Sequence, residues 1–528
     1  MNADNFSIES AKISIYQRYF VNEVNKTMKF YITTAIDYVN AQAHIGHTLE
    51  KVQADALARY HRLKGDDVFF LTGTDEHGIK IVRSAEKAGK SVRDFVDINA
   101  KAFQDLWGSL NISNDYFIRT TNKTRHWPVV RKVWAQLVAN DDIYKKAYEG
   151  LYCAGHEAFV TNKDLNKDGI CEMHGAAPEL IKEENYFFKL SKYTKQIEKA
   201  IKSGEFKIEP KTRENEILKL LERGLEDVSF SRPRKTLKWG IPVPRDSSQT
   251  IYVWADALTN YISALGWGTS SNAKFKKYWP ADVHVVGKDI LRFHAAIWPG
   301  MLLSLGLPLP KKLFVHGFIN IDGMKISKSL GNVVDPRDIV KEYSSTSSPQ
   351  AGADALRWYL LAEIPPAKDG DYSKDKFEAR YNADLALGLG NLLARIVSLG
   401  EKYLDKPLAS ELPSTAQKEL DRRWKAYEKF MDNFKFSEAI KEAQALIGYA
   451  DKRINDTKLW VLAREDEKKF KEVISEVATI LANISSMLAP VIPQTSEEIF
   501  KQLGIKHESK RAWRFEMKKG ESLFPRLE

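Results

Sequence analysis

Short, wholly apolar runs alternate with helix-period stretches in two separated parts of this 528-residue chain. Phe30-Tyr31-Ile32 precedes Thr48–Tyr60, where apolar side chains recur at helical spacing, and Val68-Phe69-Phe70-Leu71 follows. Runs of this length without polar alternation read as strands buried on both faces, as in a parallel sheet covered by helices. The pattern resumes at Thr250–Trp254, Asp282–Gly287 and Leu313–His316. The fold class predicted is α/β: a Rossmann-like sheet in two halves, 28–112 and 241–320, split by an irregular connective insertion over 113–240. Residues 321–373 hold a glycine-flanked lysine loop and the serine-rich stretch Ser344–Pro349. From 374 to 528 Leu, Ala and Lys recur at helical periods with few glycines, which predicts an all-α bundle.

Composition narrows the class. Lys and Arg number 80 against 70 Asp and Glu, a net charge of +10 that suits a polyanionic partner. Two cysteines give no disulfide framework, so a cytoplasmic, reducing location is expected. No apolar run reads as bilayer-spanning, and no membrane partner is expected. Residues 1–27 are polar, with Asp4, Glu9 and Glu23, and read as a disordered extension or an upstream start rather than a targeting peptide.

Two motifs carry chemistry. Ala43-His44-Ile45-Gly46-His47 lies at a strand-to-helix junction, where backbone N–H groups and the helix dipole favour an anion. His44 and His47 are three apart and share a helix face, and Gly46 leaves room for a flat base. Two satisfied histidines capping a helix are the plainer alternative. Lys325-Ile326-Ser327-Lys328-Ser329 sits between Gly323 and Gly331-Asn332, which suits a loop closing over phosphates, or else a basic surface turn. A third pattern falls in the insertion: Cys153-Ala154-Gly155-His156 and Cys171-Glu172-Met173-His174 repeat Cys-x-x-His. Cys153, His156, Cys171 and His174 make four N/S ligands, suited to one tetrahedral structural Zn²⁺ per chain. Two buried thiols and two surface histidines are the alternative.

Further blocks surround these motifs: Thr33–Asn40, Thr72-Gly73-Thr74-Asp75-Glu76-His77-Gly78, Val253-Trp254-Ala255-Asp256-Ala257, Gly287-Lys288-Asp289-Ile290, Phe293–Pro299 and Leu523-Phe524-Pro525-Arg526. With them the chain, from residue 28 to its end, resembles the methionyl-tRNA synthetases, class I aminoacyl-tRNA synthetases of the bacterial type with a single zinc knuckle. The resemblance implies a ligase that activates methionine with ATP and Mg²⁺ and passes it to initiator and elongator tRNA(Met). It implies catalytic His44, His47, Lys325 and Lys328, with Gly46, His316 and Ser327 also at the ATP. The methionine pocket would hold Ile36, Tyr38, Asp75, Trp254, Ala257, Tyr261, Ile290 and His294. Asp75 would take the ammonium, Trp254 and Ile290 the apolar side chain, and Tyr261 and His294 would donate toward the sulfur. Trp298 would bear on rejecting homocysteine. Residues 321–373 would also contact the tRNA stem, and Asn391, Arg395 and Trp460 would read the anticodon. A monomer is expected, because the chain stops after the bundle.

Some positions depart from the family pattern. Asp37 stands where tyrosine or proline is usual, His156 where cysteine is common, Leu387 where asparagine is frequent, and Leu459 in place of a proline. The leucine and valine ligases of the class are disfavoured by the lack of a large editing insertion, and the cysteine ligase because it would need a zinc in the catalytic pocket itself, which these spacings do not suggest. A non-catalytic tRNA-binding paralogue is disfavoured by the intact ATP motifs.

Overall fold

The computed structural model describes residues 27–153, 158–160, 165–171, 175–326, 331–346, 348–509 and 512–528. Its centre is a seven-stranded sheet. The strand Lys29–Thr34 lies between Asp67–Asp75 and Val283–Gly287, and Lys312–His316 and Lys207–Glu209 follow on the latter side. Tyr116–Arg119 and the short Asp37–Tyr38 both pair with Asp67–Asp75, and all these pairings are parallel. Side chains alternate between two apolar cores. Phe30, Ile32, Val68 and Phe70 enter one, while Tyr31, Phe69 and Leu71 enter the other. Burial on both faces is why these strands have no polar alternation.

Two strands change the expected domain limits. Tyr116–Arg119 and Lys207–Glu209 lie inside 113–240 yet belong to the central sheet. Both are short and carry charged ends, which hid them from a search for apolar runs. What leaves the sheet is a four-stranded antiparallel unit, built on Ile143–Cys153 paired with Glu179–Phe188. The C-terminal part is not all-α: Leu408–Ala409, Ile505–Ser509 and Ala512–Phe515 form a small antiparallel sheet. Three strands of two to five residues are too short to show a period. A further difference is the helical run Lys374–Tyr403, long and apolar enough by length and composition to cross a bilayer. Its Leu389, Leu392, Leu393 and Ile396 are buried in the protein's own core.

The bundle and the sheet share that core. Phe314, from the central sheet, stacks on Phe434 at 4.3 Å between ring centroids. A second tie is a fully buried Arg357, on the helix Ala351–Ala362. Its guanidinium pairs with Asp55 at 2.7 Å and donates to the carbonyls of Val491 (2.8 Å), Pro490 (2.9 Å) and Leu110 (3.2 Å). Asp55 also accepts from Arg59 and from the Ser113 N–H. Burial alone would raise the Asp55 carboxyl, but Arg59 and Arg357 outweigh it and hold the group well below the usual range.

Removing one member of a buried pair strands the other. Asp55→Ala should therefore lower stability by about 3–5 kcal/mol, read as a fall of several degrees in the calorimetric melting temperature. An unchanged melting temperature would show that the joint carries no stability.

Candidate active site

The carboxyl ends of the central strands open into a cleft of about 480 Å³, where open parallel sheets bind ligands. Ala35 and Ile36 follow the first strand, Asp75 ends the next, and Gly287 and His316 end two more.

At one end the helix Ile45–Leu63 starts. His44 caps it, its Nδ1 accepting from the Gly46 N–H at 3.2 Å, while the His44 N–H donates to Nδ1 of His47, also at 3.2 Å. The motif is thus a capping box with the two rings in contact, centroids 4.0 Å apart. Nδ1 accepts in both rings, so Nε2 carries the proton in each neutral ring. Burial holds the His47 pKa well below that of a free imidazole. A Cβ on Gly46 would lie 3.0 Å from the His44 ring, so a larger residue would press on the capping imidazole. Lys325 lines the same cleft from an exposed two-residue strand, Met324–Lys325, paired to Ile319–Ile321. Ser327 and Lys328 lie outside the described residues.

At the other end Trp254 stacks on Phe293, centroids 3.7 Å apart and planes within 12°. Behind them the Tyr261 hydroxyl is 2.7 Å from Nε2 of His294, whose Nδ1 is 3.0 Å from the Ile290 carbonyl. A carbonyl only accepts, so Nδ1 bears the proton. Burial lowers the His294 pKa to about 4, leaving Nε2 as an acceptor for the Tyr261 hydroxyl. Without a ligand, the Tyr261 hydroxyl proton goes to His294 and the His294 proton to the Ile290 carbonyl.

The segment Thr72–Gly78 divides its polar groups. Asp75 faces the cleft. Glu76 turns away, accepting from Arg119 Nε at 2.6 Å and so fastening the Tyr116–Arg119 edge strand. His77 bonds Asp256 Oδ2 at 2.6 Å, and His126 takes Oδ1 at 2.7 Å. This buried His–Asp–His chain ties the Asp75 loop to the helix Val253–Leu258 that carries Trp254.

Comparison with known proteins identifies what shares this arrangement. The model of class I tRNA synthetases for methionine matches residues 30–171 and 161–397, and that of the anticodon-binding domain of tRNA ligases matches 415–523. The methionine–tRNA ligase of Caldanaerobacter subterraneus is 44% identical over 519 residues, 94% of this chain and 79% of the relative. That of Bacillus subtilis is 43% identical, covering 94% and 78%. The solved methionyl-tRNA synthetase of Mycobacterium tuberculosis in complex with methionyl-adenylate superposes with a TM-score of 0.88 at 34% identity, over 95% of this chain and 100% of that one. The chain belongs to the methionyl-tRNA synthetase family.

All eight residues assigned to methionine through the family resemblance line the one cleft: Ile36, Tyr38, Asp75, Trp254, Ala257, Tyr261, Ile290 and His294. So do His44, Gly46, His47, His316 and Lys325. Sequence reasoning missed Glu50, Asp289, Asn260 and Phe293 in the lining, and Lys51 just behind it. Glu50 and Lys51 carry no sequence signal of their own, since charged residues on a helix are ordinary until the fold buries them. Trp298 stands behind the cleft, fully buried, its Nε1 donating to His284 at 3.3 Å.

Of the metal-ligand set, Cys153 and Cys171 are described and buried, in a small apolar cluster with Val160. The Cys171 carbonyl accepts from the Gly175 N–H at 2.8 Å. His156 and His174 lie outside the described residues, and among those described no group of three or more metal-ligating side chains occurs. Of the anticodon set, Asn391 is exposed at the start of Asn391–Tyr403. Arg395 is held by Asp451 (3.0 Å) and Asn455 (2.6 Å). Trp460 is 45% exposed beside a buried Leu459, so it is not a core residue.

His294 stays neutral in the folded chain down to about pH 4, whereas a free imidazole protonates near 6.5. The folded state binds fewer protons in that window, so this group's stability is fully present above about 6.5 and lost as pH falls toward 4. His294→Gln should flatten melting temperature against pH across that window. An unaltered slope would mean that the ring already protonates in the folded state.

Proposed function

We propose that this cleft joins methionine to ATP and that the chain then transfers methionine to tRNA(Met). The observation that carries the reading is the cleft itself. A wall of Trp254, Ile290 and Ala257 with Asp75 at its edge meets, in one cavity, the helix start of His44 and His47.

The chemistry follows from the residues. Asp75 takes the methionine ammonium through a charge-assisted bond. The Trp254 ring and the aliphatic side chains of Ile36 and Ile290 hold the thioether, which packs well against aromatic faces. Tyr38 closes the same wall. The methionine carboxylate then attacks the α-phosphorus in line. An O–P bond forms, the α–β bridge breaks, and pyrophosphate leaves with the electron pair. His44 and His47 serve as Nε2–H donors to the phosphates, a role their capping bonds pre-orient. Lys325 and, beyond the described residues, Ser327 and Lys328 bring donors and positive charge to the departing pyrophosphate. Gly46 and His316 border the nucleoside. Mg²⁺ arriving with ATP would supply further neutralisation of the phosphates. In the second step the terminal ribose hydroxyl of tRNA attacks the acyl carbon and AMP leaves. Asn391, Arg395 and Trp460 are assigned to the anticodon. The exposed indole offers a stacking face, and the guanidinium an edge-reading donor set once it exchanges Asp451 for a base.

One structural Zn²⁺ is assigned to Cys153, His156, Cys171 and His174. Two buried thiols gathered in one small apolar cluster support it, since a thiolate pair needs a shielded site. The metal would brace the tip of the insertion. Purified protein should carry about one zinc per chain by elemental analysis, and Cys171→Ser should lose it; a zinc-free, fully active preparation would remove the assignment.

ATP–pyrophosphate exchange across the twenty amino acids tests the function. Exchange should require methionine, and Lys325→Ala should cut its kcat by about a hundredfold with a small change in methionine KM. Exchange driven by another amino acid would overturn the substrate assignment.

A further inference from the structure

In the cleft wall and just behind it lies a charge cluster whose Lys51, Asp37 and Glu50 the reaction above does not use. Lys51 is fully buried. Its ammonium bonds Asp37 Oδ1 at 2.9 Å, Glu50 Oε1 at 2.8 Å and the Ala35 carbonyl at 3.0 Å. Glu50 reaches onward through Oε2 to His316 Nε2 at 3.2 Å. Asp37 and Ala35 belong to the segment that presents Ile36 and Tyr38 to the cleft, whereas His316 ends a strand at the nucleotide side. The other Asp37 oxygen, Oδ2, is buried and has no hydrogen-bond partner. Such an atom is costly in an apolar wall unless charge nearby sustains it.

We propose that Lys51 and Asp37 are positioning residues for methionine: their ion pair holds the Ala35–Tyr38 wall in its binding shape. The inference rests on methionine activation in this cleft. Three oxygens on one ammonium leave the segment little freedom, and Ile36 and Tyr38 lie either side of the held carboxylate. Burial raises the Asp37 carboxyl to about 7, with Glu50 adding to the rise and Lys51 opposing it. The groups facing the cluster are His47 on the same helix, His316 and Asp289 beyond Glu50, and Tyr261 and His294 across the cleft. The Trp107 ring covers the Lys51 ammonium at 5.6 Å. Of these neighbours His47 and His294 are held neutral through neutral pH, while the Asp37 carboxyl, raised to about 7, changes charge there.

Protonating Asp37 weakens its hold on Lys51, and the wall loosens. At saturating ATP the methionine KM of the unaltered enzyme should rise as pH falls through about 7. Asp37→Asn should raise that KM by about tenfold and make it flat between pH 6 and 8. Lys51→Gln should raise it similarly, with kcat and the ATP KM within about twofold of the parent. The double variant Asp37→Asn/Lys51→Gln should be no worse than the poorer single one, because both remove one interaction. An unchanged methionine KM, a parallel rise in the ATP KM, or additive single effects would each overturn the proposal. Asp37→Asn keeps the size and shape of the side chain, so it reports even where Lys51→Gln fails to fold. Methionine-dependent exchange by the parent enzyme separates failure of this inference from failure of the functional reading.

Discussion

The guanidinium of Arg357 lies out of reach of solvent where three parts of the chain meet. It pairs with Asp55 on the helix that begins at the histidine motif and takes the carbonyl of Leu110, which caps the helix Val92–Ser109. Its remaining donors go to Pro490 and Val491, in the turn between two bundle helices. A planar fork of five donors satisfies all of these at once, which a lysine cannot do. The same helix therefore starts at the cleft and is bolted, ten residues on, to the bundle. An enzyme that must join chemistry in one domain to recognition in another needs such a rigid link. Here it is backed by a continuous apolar core, in which Phe314 meets Phe434.

The cleft is equally a product of the sheet. Parallel strands end together, so the residues that follow them converge without long loops. The Thr72–Gly78 segment shows how much is drawn from one strand end: a carboxylate for the cleft, a second that fastens the edge strand, and an imidazole that braces Trp254's helix through Asp256. Such bracing matters because a site loose by an ångström loses most of its orientation effect.

The parts legible in the sequence are those with a strong local signal. Apolar runs marked the buried strands around Ile32, Phe70, Val285 and Phe314, and the histidine motif marked the helix start. Helical periodicity marked the bundle. The rest was hidden for identifiable reasons. The Tyr116–Arg119 and Lys207–Glu209 strands are short and half charged, and only long-range pairing makes them strands. The C-terminal sheet has the same cause. Tyr261 and His294 were correctly placed beside the cleft, but their proton directions depend on the Ile290 carbonyl, which no motif encodes. Lys51 reads as an ordinary helix-surface lysine until the fold closes over it, yet its neighbour in space, Asp37, already stood out as a departure from the family pattern.

That departure bears on how one small cavity accepts both a cation and a polyanion. Placing bare carboxylates throughout would draw the ammonium but repel the triphosphate, and lysines throughout would do the reverse. The cleft separates the two demands. At the phosphate end His47 is held neutral, and capping bonds turn both motif histidines into N–H donors that add no fixed negative field. At the end proposed for the amino acid Asp75, Asp37 and Glu50 all border the cleft, but Asp37 and Glu50 are bonded to Lys51 just behind it. One ammonium between two carboxylates leaves the cluster with a single negative charge when Asp37 is ionised and none when it is protonated. The wall thus keeps a weak, adjustable bias toward a cation without extending that field to the phosphates. A tyrosine or proline at position 37 would need no such counter-charge, so the buried Lys51 and the unusual Asp37 are best understood as one feature of the site.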